Sequence, residues 1–291
     1  MPAGTTYHWI VPTGNTSNWA NGNNWSLTQG GAPAGVYPGA APNQSATFDG
    51  GVGGTSNGFC NCDLPISDSV ATLTLAKAYS GQIMLMEPSF QAANISVGGG
   101  AILTSGNNLG TSLTPISGLT LTGGLILCQG PETIFTQALT LNGSGVISLN
   151  RATLNLNGTV YSAPSAQSGT FNKAITPITV SLPPPVGSLA YSLVGLPSGL
   201  SINSGGVISG TPTQTGTFNG GYSRGVSGGG VITQAITYNI APGAPKVCSF
   251  VDGGFSFARS WLQIIKILLG LNKTRSRQRP GVPAGGLILP V

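Results

Sequence analysis

Residues 64–160 alternate apolar and small polar side chains. The runs are SVATLTLAK, GQIMLM, ANISVGGGAILTS, GLTLTGGLILCQ, ALTLNGSGVISLN and ATLNLNG. Period-two alternation sends successive side chains to opposite faces, so these runs predict half-buried strands. Leu73, Ile95, Leu119 and Leu139 hold similar places in successive units, spaced 22, 24 and 20 residues apart. A quasi-period of this size fits one coil of a right-handed β-solenoid. Inward side chains would then stack on those of the next coil, with Thr and Asn laddering outside. The competing fold for 51–160 is an antiparallel sandwich with a turn every 8–12 residues.

Residues 1–50 follow a different pattern. In GNTSNWANGNNWS, single aromatics interrupt turn-forming Asn and Gly, which tolerate positive φ. SATFDGG closes the region as a short strand. Trp9, Gly14–Trp19, Asn24–Ser26, Pro42 and Ala46–Asp49 resemble the opening of many bacterial and phage surface proteins, where such a pattern leads into a β-solenoid. Trp9, Trp19 and Trp25 therefore have two readings. They plug the end of a β core, as buried Trp usually does, or they stack on glycans.

Residues 161–170, YSAPSAQSGT, are small, polar and uncharged, and read as a linker. In 171–242, GLPSGLSINSGGVISGTP carries no ionisable side chain. Leu200 and Ile202 share one face of a strand. NSGG makes the turn, Val207–Ile208 return, and Pro212 ends the hairpin because it cannot donate to a ladder. VITQAITYNI supplies an alternating last strand. Tyr191, Gly195, Leu196, Pro197, Gly199, Leu200, Ile202, Gly206–Ile208, Gly210–Pro212 and Gly216–Phe218 resemble the immunoglobulin-like, cadherin-like domain of bacterial and phage surface proteins. That resemblance implies a β-sandwich on an exposed surface. Its relatives often bind calcium through clustered acids. Residues 133–251 contain no Asp or Glu, so calcium is not carried over.

Residues 255–273, FSFARSWLQIIKILLGLNK, break the β pattern. Phe257, Trp261, Ile264, Leu268 and Leu271 are spaced 4, 3, 4 and 3, the seam of a short amphipathic helix. The helix is a candidate docking element, on the body or on a partner subunit or shell; an anionic membrane is the third reading, less favoured because the bases cluster after the helix rather than along it. A basic stop, TRSRQRP, follows it.

Composition sharpens this picture. Only 6% of side chains are charged, against about 25% in an average domain. The chain is nevertheless 40% hydrophobic, so it reads as folded. All six acids precede residue 253, and six of eleven bases lie in 259–279. The net charge of +5 thus belongs to the tail and does not argue for nucleic-acid binding by the body. MPAGTTYHWI has no basic n-region before an apolar core, so a secretory signal is not expected. No run reaches the roughly 18 apolar residues of a membrane span. Cys60, Cys62, Cys128 and Cys248 read as free thiols, with a 60–128 or 62–128 bridge as the alternative.

Chemistry is thinly represented. Glycan hydrolysis needs paired carboxylates, and Asp63 and Asp68 are the closest acids. GTSNG at 54–58 spells G-x-S-x-G, but no strand-turn-helix surrounds it, and His8 is the sole histidine. No catalytic, metal or cofactor residues are assigned, and no cofactor is expected.

The expected protein is all-β. A cap at 1–50 and a β-solenoid-like or sandwich body at 51–160 precede the linker at 161–170. An immunoglobulin-like β-sandwich follows at 171–242, then a helix and basic tail at 243–291. The expected role is a non-enzymatic, surface-exposed structural protein, a phage head decoration or fibre protein on the virion surface. A bacterial cell-surface adhesin or a glycan-binding tailspike is the alternative. Expected partners are capsid or other virion proteins, further copies of itself (a trimer among the options) and glycans.

Overall fold

The computed structural model describes residues 4–183, 190–225 and 228–244. The C-terminal helix and tail, and Cys248 with them, lie outside the described residues. Among the described residues there are 25 strands and two short 3-10 turns.

The body is a solenoid. From Val70 onward each coil contributes one strand to each of three parallel sheets in strict rotation. In the first sheet Ala46, Leu73, Ile95, Leu119 and Leu139 pair in one column. The 22-, 24- and 20-residue spacings are therefore coil lengths. In the second sheet the inner column runs Cys60, Ile83, Ile102, Ile126, Ile147. In the third it runs Phe90, Leu109, Ile134, Leu154. These columns are buried and belong to one hydrophobic core, apart from Leu139, which packs half-buried against it. Parallel pairing throughout the coils rules out the antiparallel sandwich. Outside the first sheet, Thr47, Thr74, Ser96, Thr120 and Thr140 form the expected polar ladder.

The immunoglobulin-like segment contains the predicted hairpin. Leu200–Ile202 pairs antiparallel with Val207–Gly210, with Ile202 opposite Ile208. In the turn, Asn203 Oδ1 accepts from the amides of Gly205 and Val207, both at 2.9 Å. Gly206 takes φ of +78°, a conformation that favours glycine. Ile178–Thr179 completes this small sheet.

The last strand, Val231–Ala241, joins the two halves. Val231–Thr233 stack in parallel on Val146–Ser148, which extends the Ile147 column to Ile232. The same strand makes a ten-pair antiparallel ladder with Gly216–Gly225. Its far end pairs with Gln167–Thr170. The second sheet therefore runs from the solenoid into the immunoglobulin-like segment without a break. The stretch 161–170, read from sequence as a linker, ends one strand at Tyr161 and holds another at Gln167–Thr170. Its composition suits a linker, but its backbone is engaged by Thr153–Leu156 and Val231–Ala241.

Candidate functional site

The three N-terminal indoles are fully buried. Trp9, Trp19 and Trp25 pack with Phe48 at ring-centroid distances of 4.7–5.8 Å. Phe90 meets Trp19 at 5.6 Å and Tyr79 meets Phe48 at 5.1 Å. Each indole N–H donates to a backbone carbonyl: Trp9 to Gly58, Trp19 to Pro38 and Trp25 to Trp19. No ring face is left for a sugar, so the glycan-stacking reading of these residues is replaced by that of a plug. The rings cover Phe90, the first residue of the third-sheet column, and Phe48 on the strand that carries Ala46.

Among the described residues the ionisable side chains are mostly held by separate partners. Asp63 accepts from the Ala20 amide at 2.7 Å and from Asn18 Nδ2 at 3.0 Å. Asp68 accepts from Tyr37 and Ser67 hydroxyls. Each carboxylate is thus engaged by donors of its own surroundings. His8 Nδ1 lies 2.6 Å from Asp49 Oδ2. Ser56 of GTSNG is buried in a turn, its amide donating to Gly50 at 2.8 Å. Glu132 is buried, with Oε1 taking the Thr104 hydroxyl and the Gln129 amide. Cys60, Cys62 and Cys128 are free and buried, which answers the bridge alternatives for those three. Burial raises all three thiols, Cys128 to about 12. Among the described residues no group of three or more His, Cys, Asp or Glu side chains could hold a metal ion.

The outer face of the second sheet differs from that of the first. Phe59, Met84 and Met86 are 44%, 36% and 51% exposed. Pairing of Asn61 with Met84 puts Phe59 diagonal to Met84 on adjacent strands. The outward positions continue through Leu103, which is buried, and the half-buried Leu125, Leu127 and Val146, so apolar side chains line five coils and are exposed on the first two. Sequence reasoning missed this band. Its signal was present, because AIL at 101–103 and LIL at 125–127 are apolar at every position rather than at alternate ones. Strands with two apolar faces read as continuous hydrophobic runs. The docking-helix residues Phe257, Trp261, Ile264, Leu268 and Leu271 lie outside the described residues.

With this geometry in hand, the class is an all-β solenoid that runs into an immunoglobulin-like β-sandwich. Residues 157–241 match the family described as Putative Ig domain. The match covers less than a third of the chain and starts before the expected boundary at 171, so it includes the stretch read as a linker. It makes this segment immunoglobulin-like and points to a surface or structural protein. No curated protein matches the chain.

Proposed function

We propose that this chain is a non-enzymatic, surface-exposed structural protein, a phage virion component of the head-decoration or fibre type that associates with further copies of itself. One observation carries the reading: the exposed apolar cluster of Phe59, Met84 and Met86 on the outer face of the second sheet, where the first sheet shows a polar ladder. Contiguous exposed apolar side chains on a folded body mark association surfaces. An immunoglobulin-like segment and scarce, dispersed acids support a structural rather than chemical role. The amphipathic seam of Phe257, Trp261, Ile264, Leu268 and Leu271 is assigned to attachment on the shell.

Light scattering coupled to size exclusion tests the association. The full chain should run as an oligomer, and the double variant Phe59→Ser, Met84→Ser should shift it towards monomer. A wild-type monomer at tens of micromolar would overturn the reading. Mass spectrometry separates the locations. Stoichiometric peptides in purified particles support the virion, and peptides only in a cell-envelope fraction support the bacterial adhesin instead.

A further inference from the structure

The corner between the third and first sheets carries two adjoining clefts, of about 300 and 180 Å³. Pro115 lines both. Together they run along the stack through the residues that precede each first-sheet strand. Gln91 and Thr114 line the larger cleft, and Phe135, Gln137 and Asn155 the smaller. Phe135 pairs directly with Asn155 on the next coil. The bridge between Ile116 and Thr136 sets Pro115 behind Phe135. One line along the corner therefore reads amide, ring, ring, amide: Gln91, Pro115, Phe135, Asn155. Neighbouring strands in a sheet are about 4.8 Å apart, so the three steps of this line span about 14 Å, or one hexose per step in an extended chain.

The lining carries no ionisable side chain. Its polar atoms are amides and hydroxyls, which pair with either donors or acceptors. Its apolar elements include the half-buried rings of Pro115 and Phe135, beside Val70 and three alanines. The walls are held in place. Gln91 Nε2 donates to the Ile66 carbonyl at 3.0 Å, and Gln91 Oε1 accepts from the Thr114 hydroxyl at 3.1 Å. Thr114 is itself pinned, its amide donating to Thr111 Oγ1 at 2.9 Å. Leu113, 92% exposed, stands on the loop that borders the groove. A single L-residue held out at that exposure beside a polar cleft offers an apolar edge for a ligand to cover. The turn Asn157–Gly158, with both φ positive, closes the far end.

From this arrangement we infer that the corner groove binds a neutral oligosaccharide of about three to four sugar units. Sugar hydroxyls match the amides, and the apolar C–H faces of the pyranoses match Pro115 and Phe135. A sulfated or carboxylated glycan would bring charges for which the lining supplies no counter-group. The inference is independent of self-association, which uses the opposite character of surface on another face.

The test is a printed array of neutral and anionic glycans probed with the labelled full chain, followed by calorimetric titration of the strongest neutral tetrasaccharide to hexasaccharide. Retention of neutral glycans is expected. Gln137→Ala and Asn155→Ala should each weaken that binding about three- to tenfold, the equivalent of one neutral hydrogen bond. Gln137 is exposed, so its truncation leaves the thermal midpoint where it was. Thr74→Ala, on the outer ladder of the first sheet, should leave affinity unchanged. Retention of anionic glycans alone, no retention at all, or neutral binding indifferent to both groove variants would each overturn the inference. Oligomeric state is unaffected by these variants, so failure here is distinct from failure of the self-association reading.

Discussion

Trp25→Ala tests whether the indoles form a structural plug. Trp25 is fully buried, with ring centroids 5.0 Å from Trp9, 4.7 Å from Trp19 and 5.3 Å from Phe48. Truncating a buried Trp to Ala costs about 3–5 kcal/mol through lost transfer energy and the cavity left behind. The lost N–H leaves the Trp19 carbonyl without its 2.8 Å donor, which adds about 1–3 kcal/mol for an unmet buried polar group. The expected total is about 5 kcal/mol. Trp25→Phe keeps most of the ring contact and loses the donor, so it should cost about 2 kcal/mol. Urea unfolding followed by far-ultraviolet circular dichroism reads both. With a slope of about 3 kcal/mol/M for a domain of this size, the midpoints should fall by about 1.7 and 0.7 M. A fall below about 0.3 M for Trp25→Ala would refute the plug. So would unchanged stability accompanied by loss of glycan retention, because that is the signature of a ligand platform.

Three further outcomes are expected. Gly199 has φ of +92°, and a Cβ there would lie 2.0 Å from the Thr211 carbonyl oxygen; Gly199→Ala should therefore cost more than about 2 kcal/mol and abolish hydrogen-exchange protection in Leu200–Gly210, and full retention of that protection would count against the hairpin. Burial raises the folded pKa of Cys60, Cys62 and Cys128 above the unfolded value near 8.5. The folded state then holds protons that the unfolded state has lost, so stability is intact below about pH 8 and falls as pH rises towards 12, by about 1.4 kcal/mol per unit for each thiol; a urea midpoint flat from pH 8 to 10 under reducing conditions would contradict it. The segment 157–241 expressed alone should fail to give a sharp unfolding transition, because it leaves Ile232 without the Ile147 column and Gln234 without its 3.0 Å bond to the Ala152 carbonyl; a cooperative, monomeric fragment would show that the shared strand is dispensable.

Much of the fold could be read from local pattern. Alternation marked the strands, and the spacings of Leu73, Ile95, Leu119 and Leu139 were coil lengths, because stacking in register makes each inward residue answer to the one a coil before it. The hairpin at 200–210 was legible too, since Asn, Gly and Pro act within a few residues of themselves. The fate of the indoles and the corner groove were not. Whether Trp19 or Trp25 faces sugar or core depends on Phe48, Phe90 and the coil beneath, which are distant in sequence. The corner groove draws single side chains from successive coils some twenty residues apart, and no local window contains it. The largest revision, at 161–170, has the same cause. Its residues have the composition of a linker, and only the return of Val231–Ala241 from some seventy residues later turns Gln167–Thr170 into a strand and welds the two halves into one sheet. Local sequence determined which segments extend and where they turn, because those choices rest on backbone preference and period. Tertiary structure decided which faces stay wet and which join, because burial is settled by the partners that a segment meets.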